Sequence, residues 1–207
     1  MSHCTTMQIQ FKNKHLLFQA LRDLDMHPDN QMWASYNSHF NKTLNIGGKV
    51  MGKLLTATYH NLNVFFLPEN DALTMHVESP TLSGMRLELA GKAVMQAVRR
   101  SYVRCAVEKL AKKIAASGGD TRVTEGIASG GYSVILSLNA GTKKVIVDLD
   151  AAGNVTEEVS GVTGKSCADL TQPLEEAFAG ETDRAWTYEY DAMLEDEEVQ
   201  VLRLEET

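Results

Sequence analysis

The stretch Gly161-Val-Thr-Gly-Lys-Ser-Cys167 contains residue types that bind phosphate, because Gly-Lys-Ser ends the phosphate loop of many nucleotide-binding proteins. That loop requires a glycine five residues before the Gly164 position, where this chain has Val159. The nearest earlier glycine, Gly161, leaves the loop two residues too short to wrap a triphosphate. The stretch therefore predicts a structural bend before a helix, at which Lys165 would attract a simple anion at most.

Histidine and cysteine residues offer a different chemistry at the start of the chain. Removal of Met1 would leave an amine close to His3 and Cys4, and such nitrogen and sulfur donors bind copper or zinc. Cys167 precedes a predicted helix, whose dipole lowers the pKa of a nearby thiol. These residues support an alternative function, that of a metal- or thiol-dependent protein. The other histidines lack paired spacing, although His60 and His76 lie in predicted strands that we expect to be adjacent, where they would meet across a sheet.

Charge is unevenly distributed along the chain, whose net charge is −7 and whose isoelectric point is near 5.4. Residues 86–113 contain eight Lys and Arg residues against two Glu, whereas residues 175–207 contain twelve carboxylates against two Arg. Arg99, Arg100 and Arg104 lie together in the basic segment and are candidate partner-binding residues. The acidic balance of the whole chain argues against nucleic acid. An acidic end beside a basic helix indicates pairing within the molecule, a charge-steered partner or two independently solvated faces.

Apolar periodicity indicates alternating sheet and helix segments. Asn13 is placed to cap the first helix, over 13–26, and the longest helical pattern covers 84–117 before Gly118-Gly119. A third helix ends near Phe178, and Pro173 either kinks it or shifts its regular start to about Thr171. Short links between the strands favour antiparallel pairing. The expected strands are 6–11, 53–60, 63–67, 72–78, 121–127, 132–138, 144–149, 154–159 and 184–190.

Two segments resemble known families. MSHCTTMQIQFKNKHLLFQALRDLDM is similar to the opening of a Ycf-type family of cyanobacteria and plastids, with Cys4 in place of an aromatic residue. Residues 143–190 resemble a small bacterial hairpin–helix family of unknown function, with Gly161, Gly164 and Cys167 on its Gly-x-x-Gly-x-x-Cys pattern. The resemblance implies a fusion of two families whose genes often lie near AAA+ ATPases. It implies an accessory role and no established activity.

The sequence thus predicts an α+β protein whose antiparallel sheet is packed by one short and one long helix, with an appended β-hairpin–helix unit. The expected divisions are an α+β domain over 1–138, the hairpin–helix unit over 143–190 and an acidic tail over 191–207. No Gly-x-Ser-x-Gly or other catalytic arrangement is present, and no secretion signal or bilayer-spanning run is visible. We expect a non-enzymatic, cytoplasmic protein-binding module without a cofactor, acting as an adaptor for an AAA+ ATPase. Its expected partner-binding residues are Arg99, Arg100, Arg104, Gly161, Gly164, Lys165 and Cys167.

Overall fold

A computed structural model describes most of the chain, namely residues 3–26, 55–60, 62–69, 72–128, 131–162, 166–178 and 182–186. Its helices are α1 (Lys14–Asp23), α2 (Gly84–Ala116) and α3 (Ser166–Phe178). Its strands are β1 (His3–Gln8), β2 (Leu55–Tyr59), β3 (Leu62–Glu69), β4 (Ala72–Glu78), β5 (Thr121–Ala128), β6 (Gly131–Leu138), β7 (Lys143–Asp150), β8 (Asn154–Ser160) and β9 (Thr182–Trp186). A short 3-10 turn, Asn139–Gly141, joins β6 to β7. The predicted acidic tail lies outside the described residues.

The strands form two antiparallel sheets, which confirms the predicted α+β class. The large sheet has the order β5-β6-β7-β8-β1-β9, and the small sheet has the order β2-β3-β4. Burial alternates along β7 and β8, as expected where one sheet face packs against helices and the other faces solvent. A single bridge between Phe11 and Leu73 links the segment after β1 to the small sheet.

The hairpin β7–β8 lies inside the large sheet, since β7 pairs with β6 and β8 pairs with β1. The predicted boundary at 138–143 therefore falls at a connection between two neighbouring strands of one sheet. The division of the chain into domains stays a prediction. What the structure adds is that the first strand of the chain is held between strands from its last third.

Helix α2 is the central element, and its predicted bounds are almost those of the structure. The apolar stripe that includes Val94, Val98 and Tyr102 is buried as predicted. Burial extends further round the helix between residues 101 and 111, because α1 packs on one side and the large sheet on the other. Ser101 is buried there and donates a hydrogen bond to the Ala20 carbonyl of α1, 3.0 Å away.

Several predicted boundaries are wrong for identifiable reasons. Strand β1 ends at Gln8, although Ile9 and Phe11 continue the apolar alternation and are buried outside the strand. Pro68 was expected in a turn, but it pairs with Leu73 within β3. Helix α3 begins at Ser166 and contains Pro173, so its regular part does not start near Thr171. The last predicted strand, 184–190, is described as Thr182–Trp186.

Candidate functional site

A groove of about 510 Å³ lies where α1 begins, beside α2 and α3. Its floor is apolar, because Leu16, Ala106, Leu110 and Ala177 are each less than a tenth exposed. Its rim is polar and mostly cationic. We call it the lysine groove, and it is lined by Lys12, Asn13, Leu16, Ala106, Lys109, Leu110, Lys113, Pro173, Glu176 and Ala177.

The walls of the lysine groove are fixed by one buried side chain, Tyr102. Its hydroxyl accepts a hydrogen bond from the Asn13 amide at 3.0 Å and donates one to the Ala177 carbonyl at 2.8 Å. Asn13 in turn caps α1, as predicted, because its side-chain oxygen accepts from the amides of His15 and Leu16. Tyr102 thus ties the start of α1 to the end of α3.

Positive charge dominates the groove. Lys109 and Lys113 are one helical turn apart on α2, and Lys12 faces them from the segment before α1. Of the described residues that line the groove, only Glu176 is acidic, and Gln172 donates a hydrogen bond to it at 2.9 Å. None of the three lysines forms an ion pair within the described part of the chain. An apolar floor beneath unpaired ammonium groups suits a segment that carries both carboxylates and apolar side chains.

The predicted partner-binding residues Arg100 and Arg104 lie on another face of α2. The Arg104 guanidinium contacts three carboxylates, at 3.0 Å from Asp23, 3.4 Å from Glu125 and 3.5 Å from Glu108. Arg100 lies over the ring of Tyr132, 5.8 Å from its centroid. Three carboxylates thus surround the single Arg104 guanidinium, which is paired within the molecule. A role for Arg104 in partner binding stays a prediction.

Arg99 is turned toward the β7–β8 hairpin. It donates a hydrogen bond to the Ala152 carbonyl at 3.1 Å, and Gln96 donates to the neighbouring Ala151 carbonyl. The Arg99 guanidinium lies so close to Gly153 that a Cβ atom there would overlap with it. The backbone of Gly153 has a φ of +95°, which favours glycine independently of that contact.

The glycine bend follows β8, whose neighbours β7 and β1 are both antiparallel to it. A nucleotide phosphate loop follows a buried parallel strand, so the surroundings differ from those that such a loop requires. Gly161 has a φ of +73° and lies against the Thr142 carbonyl. Gly164, Lys165 and the side chain of Cys167 lie outside the described residues.

The candidate metal ligands His3 and Cys4 belong to β1, but the structure does not describe their side chains. The proposed meeting of His60 and His76 is wrong in its premise, because β3 lies between β2 and β4. Within the described ranges, no group of three His, Cys, Asp or Glu side chains is arranged to hold a metal ion. The alternative function stays a prediction, which elemental analysis of the purified protein tests directly.

Cys105 is a buried thiol whose reactivity can be measured. Burial, together with the hydrogen bond that the thiol donates to Asp23 at 3.4 Å, raises the pKa of Cys105 to about 12. At pH 8 the thiol is therefore protonated and a poor nucleophile. In a variant that carries Cys4→Ser and Cys167→Ser, we expect iodoacetamide to modify the native protein at least tenfold more slowly than the urea-unfolded protein. Equal rates in the two states would contradict the buried, protonated thiol.

Sequence reasoning missed the lysine groove. Lys109 and Lys113 were counted in the basic segment, and their spacing of four residues was the available signal. Lys12 has no such signal, because it approaches α2 only through tertiary packing. None of the helices that the structure describes is both long enough and apolar enough to cross a bilayer.

With this geometry in view, comparison with known proteins adds one finding. A family model described as "Protein of unknown function (DUF2997)" matches residues 145–191. The matched range contains most of β7 and all of β8, α3 and β9, and it agrees with the predicted similarity over 143–190. No curated protein and no solved structure matches the chain. The similarity is thus to a family of unknown function and is confined to residues 145–191.

Proposed function

We propose that this protein is a non-enzymatic, cytoplasmic protein-binding module whose lysine groove receives an acidic segment of its partner. The observation that supports the proposal is the placement of Lys12, Lys109 and Lys113 around an apolar floor. Carboxylates of the partner would pair with the ammonium groups, while its apolar side chains would cover Leu16 and Leu110. Because the lysines surround the groove, they would also increase the rate of association with acidic partners.

The identity of the partner is the second part of the proposal. The opening of the chain resembles a Ycf-type family, and residues 145–191 match a family of unknown function. A fusion of two accessory families that accompany AAA+ ATPases would act as an adaptor for such an ATPase. We propose an AAA+ ATPase with an exposed acidic segment as the partner. This part rests on the resemblance, whereas the groove rests on geometry.

Charge reversal in the groove tests the first part. We expect the double variant Lys109→Glu/Lys113→Glu to weaken binding of a fluorescein-labelled peptide of glutamate and leucine by about tenfold or more, because each surface charge pair contributes about 0.2–1 kcal/mol and reversal adds repulsion. Fluorescence anisotropy measures the binding, and raising the salt concentration is expected to reduce it.

Lys112→Glu is the matched control, since Lys112 is exposed on the same helix and does not line the groove. It changes the net charge in the same direction and is expected to retain most of the binding. A second control peptide replaces glutamate with glutamine. The single variants Lys109→Glu and Lys113→Glu are measured beside Lys112→Glu, because each changes the net charge as much as that control does. Equal weakening by Lys112→Glu and by either of them would show that net charge, and not the groove, attracts the peptide.

The adaptor role has a separate assay. The ATP hydrolysis rate of a purified AAA+ ATPase with an acidic exposed segment is measured with the intact protein and with the double variant. The proposal requires a change in rate that the intact protein causes and the double variant does not. Peptide binding without any effect on the ATPase would remove the adaptor role and leave the groove as a binding site.

A further inference from the structure

A second pocket shares Lys12 with the lysine groove. Its volume is about 320 Å³, within the range of sites for small molecules. The segment after β1, strand β4 and helix α2 form its walls. It is lined by Ile9, Gln10, Phe11, Lys12, Ala72, Leu73, Thr74, Met75, Met95 and Arg99.

The charged residues of this pocket have one sign. Lys12 and Arg99 are both cationic, and none of the described lining residues is acidic. A pocket with two cations and no carboxylate attracts an anion. Because Lys12 also lines the lysine groove, Arg99 is the cation that distinguishes the second pocket.

The hydrogen-bonding capacity of Arg99 is largely unused. A guanidinium has five N–H donors, yet within the described part of the chain it makes one hydrogen bond, to the Ala152 carbonyl. None of the ion pairs among the described residues includes Arg99. Asp150 is the nearby acid, but its oxygens accept from the amides of Gly153 and Asn154 and from the Asn154 side chain.

Burial makes this arrangement costly for the charged form of Arg99. It lowers the pKa of the guanidinium, and the charge of Asp150 offsets only part of that effect. A carboxylate in the pocket would supply both a counter-charge and acceptors. The planar guanidinium suits a carboxylate in particular, because its parallel N–H groups can bind both oxygens.

Part of the remaining wall is apolar, and Gln10 and Thr74 contribute polar groups to it. Phe11, Leu73 and Met75 are each less than a tenth exposed, and Met95 packs against the same core from α2. Methionine side chains adapt to irregular apolar shapes because they are unbranched and flexible. The pocket therefore combines a cation at one wall with an adaptable hydrocarbon surface.

We propose that this pocket binds a small monocarboxylate with an apolar body, whose carboxylate pairs with Arg99 and whose hydrocarbon part contacts Met75 and Met95. The site is independent of the lysine groove in all but Lys12. It would make the protein a binder of organic acids in addition to its proposed protein-binding role.

Octanoate is a suitable probe, with 1-octanol as its uncharged counterpart. Isothermal titration calorimetry of the full chain is expected to give a dissociation constant below about 1 mM for octanoate, with 1-octanol at least tenfold weaker. In Arg99→Met this preference is expected to disappear, while Arg100→Met, on the adjacent exposed position, is expected to bind octanoate as the native protein does. Equal binding of the two probes by the native protein would overturn the proposal.

Arg99 also holds the β7–β8 hairpin, so its replacement can lower stability as well as binding. Met95→Trp is the second variant, because it fills the pocket from a half-buried position and leaves Arg99 in place. It is expected to abolish octanoate binding while its far-ultraviolet circular dichroism spectrum stays native. Methyl NMR signals of Met75 and Met95 in the native protein are expected to shift on octanoate addition. Methyl signals that do not shift, or octanoate binding that is retained in Met95→Trp, would contradict the proposed site.

Discussion

Replacing Tyr102 by alanine is expected to lower the free energy of unfolding by about 3–5 kcal/mol, the range for large aromatic-to-alanine changes in a core. The side chain is fully buried and its ring packs edge-on against Phe11, with 5.2 Å between centroids. It also lies 6.2 Å from the Phe178 ring at a tilted angle. The variant would leave a cavity where α1, α2 and α3 meet. Urea unfolding followed by circular dichroism measures the loss.

Tyr102→Phe separates the hydroxyl from the ring. It keeps the aromatic packing but leaves the Asn13 amide and the Ala177 carbonyl without their partner, which costs about 1–3 kcal/mol. Tyr132→Phe is the matched control, because the Tyr132 hydroxyl bonds to Glu125, which is itself exposed. We expect that control to lose less than about 1 kcal/mol. A Tyr102→Ala variant as stable as Tyr132→Phe would contradict the central role of Tyr102.

The same hydroxyl gives a signature in alkaline solution. Burial raises the pKa of Tyr102 from 10.0 to about 12, although the hydrogen bond from the Asn13 amide acts in the opposite direction. The unfolded chain loses this proton first, so the stabilising contribution is complete below pH 10 and declines as pH rises toward 12. Stability of the native protein should therefore fall more steeply over this range than that of Tyr102→Phe.

Gly161→Ala is expected to lower the free energy of unfolding by about 2–5 kcal/mol. A side chain in the left-handed region costs about 1–2 kcal/mol, and an overlap with backbone atoms that forces a local shift costs a further 1–3 kcal/mol or so. Gly161 meets both conditions, since its φ is +73° and an added Cβ would overlap with the Thr142 carbonyl oxygen. Thermal unfolding monitored by circular dichroism gives the shift.

Gly118→Ala is the control for backbone conformation alone. Its φ of +86° is similar, but no atom lies within 4 Å of the position where a Cβ would be placed. We expect this variant to lose only the conformational part, about 1–2 kcal/mol. If both variants were destabilised equally, the close approach of Gly161 to Thr142 would have no energetic role, and the bend after β8 would be an ordinary turn.

The long helix and several strands were predicted correctly because the apolar periodicity of each segment is enough to indicate the element. Strand β4 has its predicted bounds, with Leu73 and Met75 alternating toward the core. Helix α2 ends where Gly118-Gly119 follows it. The end of β1 was not predictable in this way, since Ile9 and Phe11 lie beyond the strand and are buried by contacts with distant segments. The Ile9 amide, for example, donates to the Gly153 carbonyl.

The lysine groove could not be predicted from local sequence patterns either, because segments that are distant in the sequence form it. Asn13 and Tyr102 are 89 residues apart in the sequence, and their hydrogen bond brings Lys12 to the α2 lysines. In the sequence alone, every Lys and Arg of the basic segment is an equal candidate for binding a partner. In the folded chain, Arg104 is surrounded by carboxylates, whereas Lys109 and Lys113 have none within ion-pair distance among the described residues. Pairing within the molecule thus distinguishes groups of the same charge.

The position of β1 has a consequence for biosynthesis. This strand is translated well before the two strands that flank it, β8 and β9, which end at residues 160 and 186. Until they are translated, β1 has both backbone edges unpaired and exposed to aggregation. The large sheet therefore closes around β1 only after both flanking strands have been translated, which makes its completion a late step in folding.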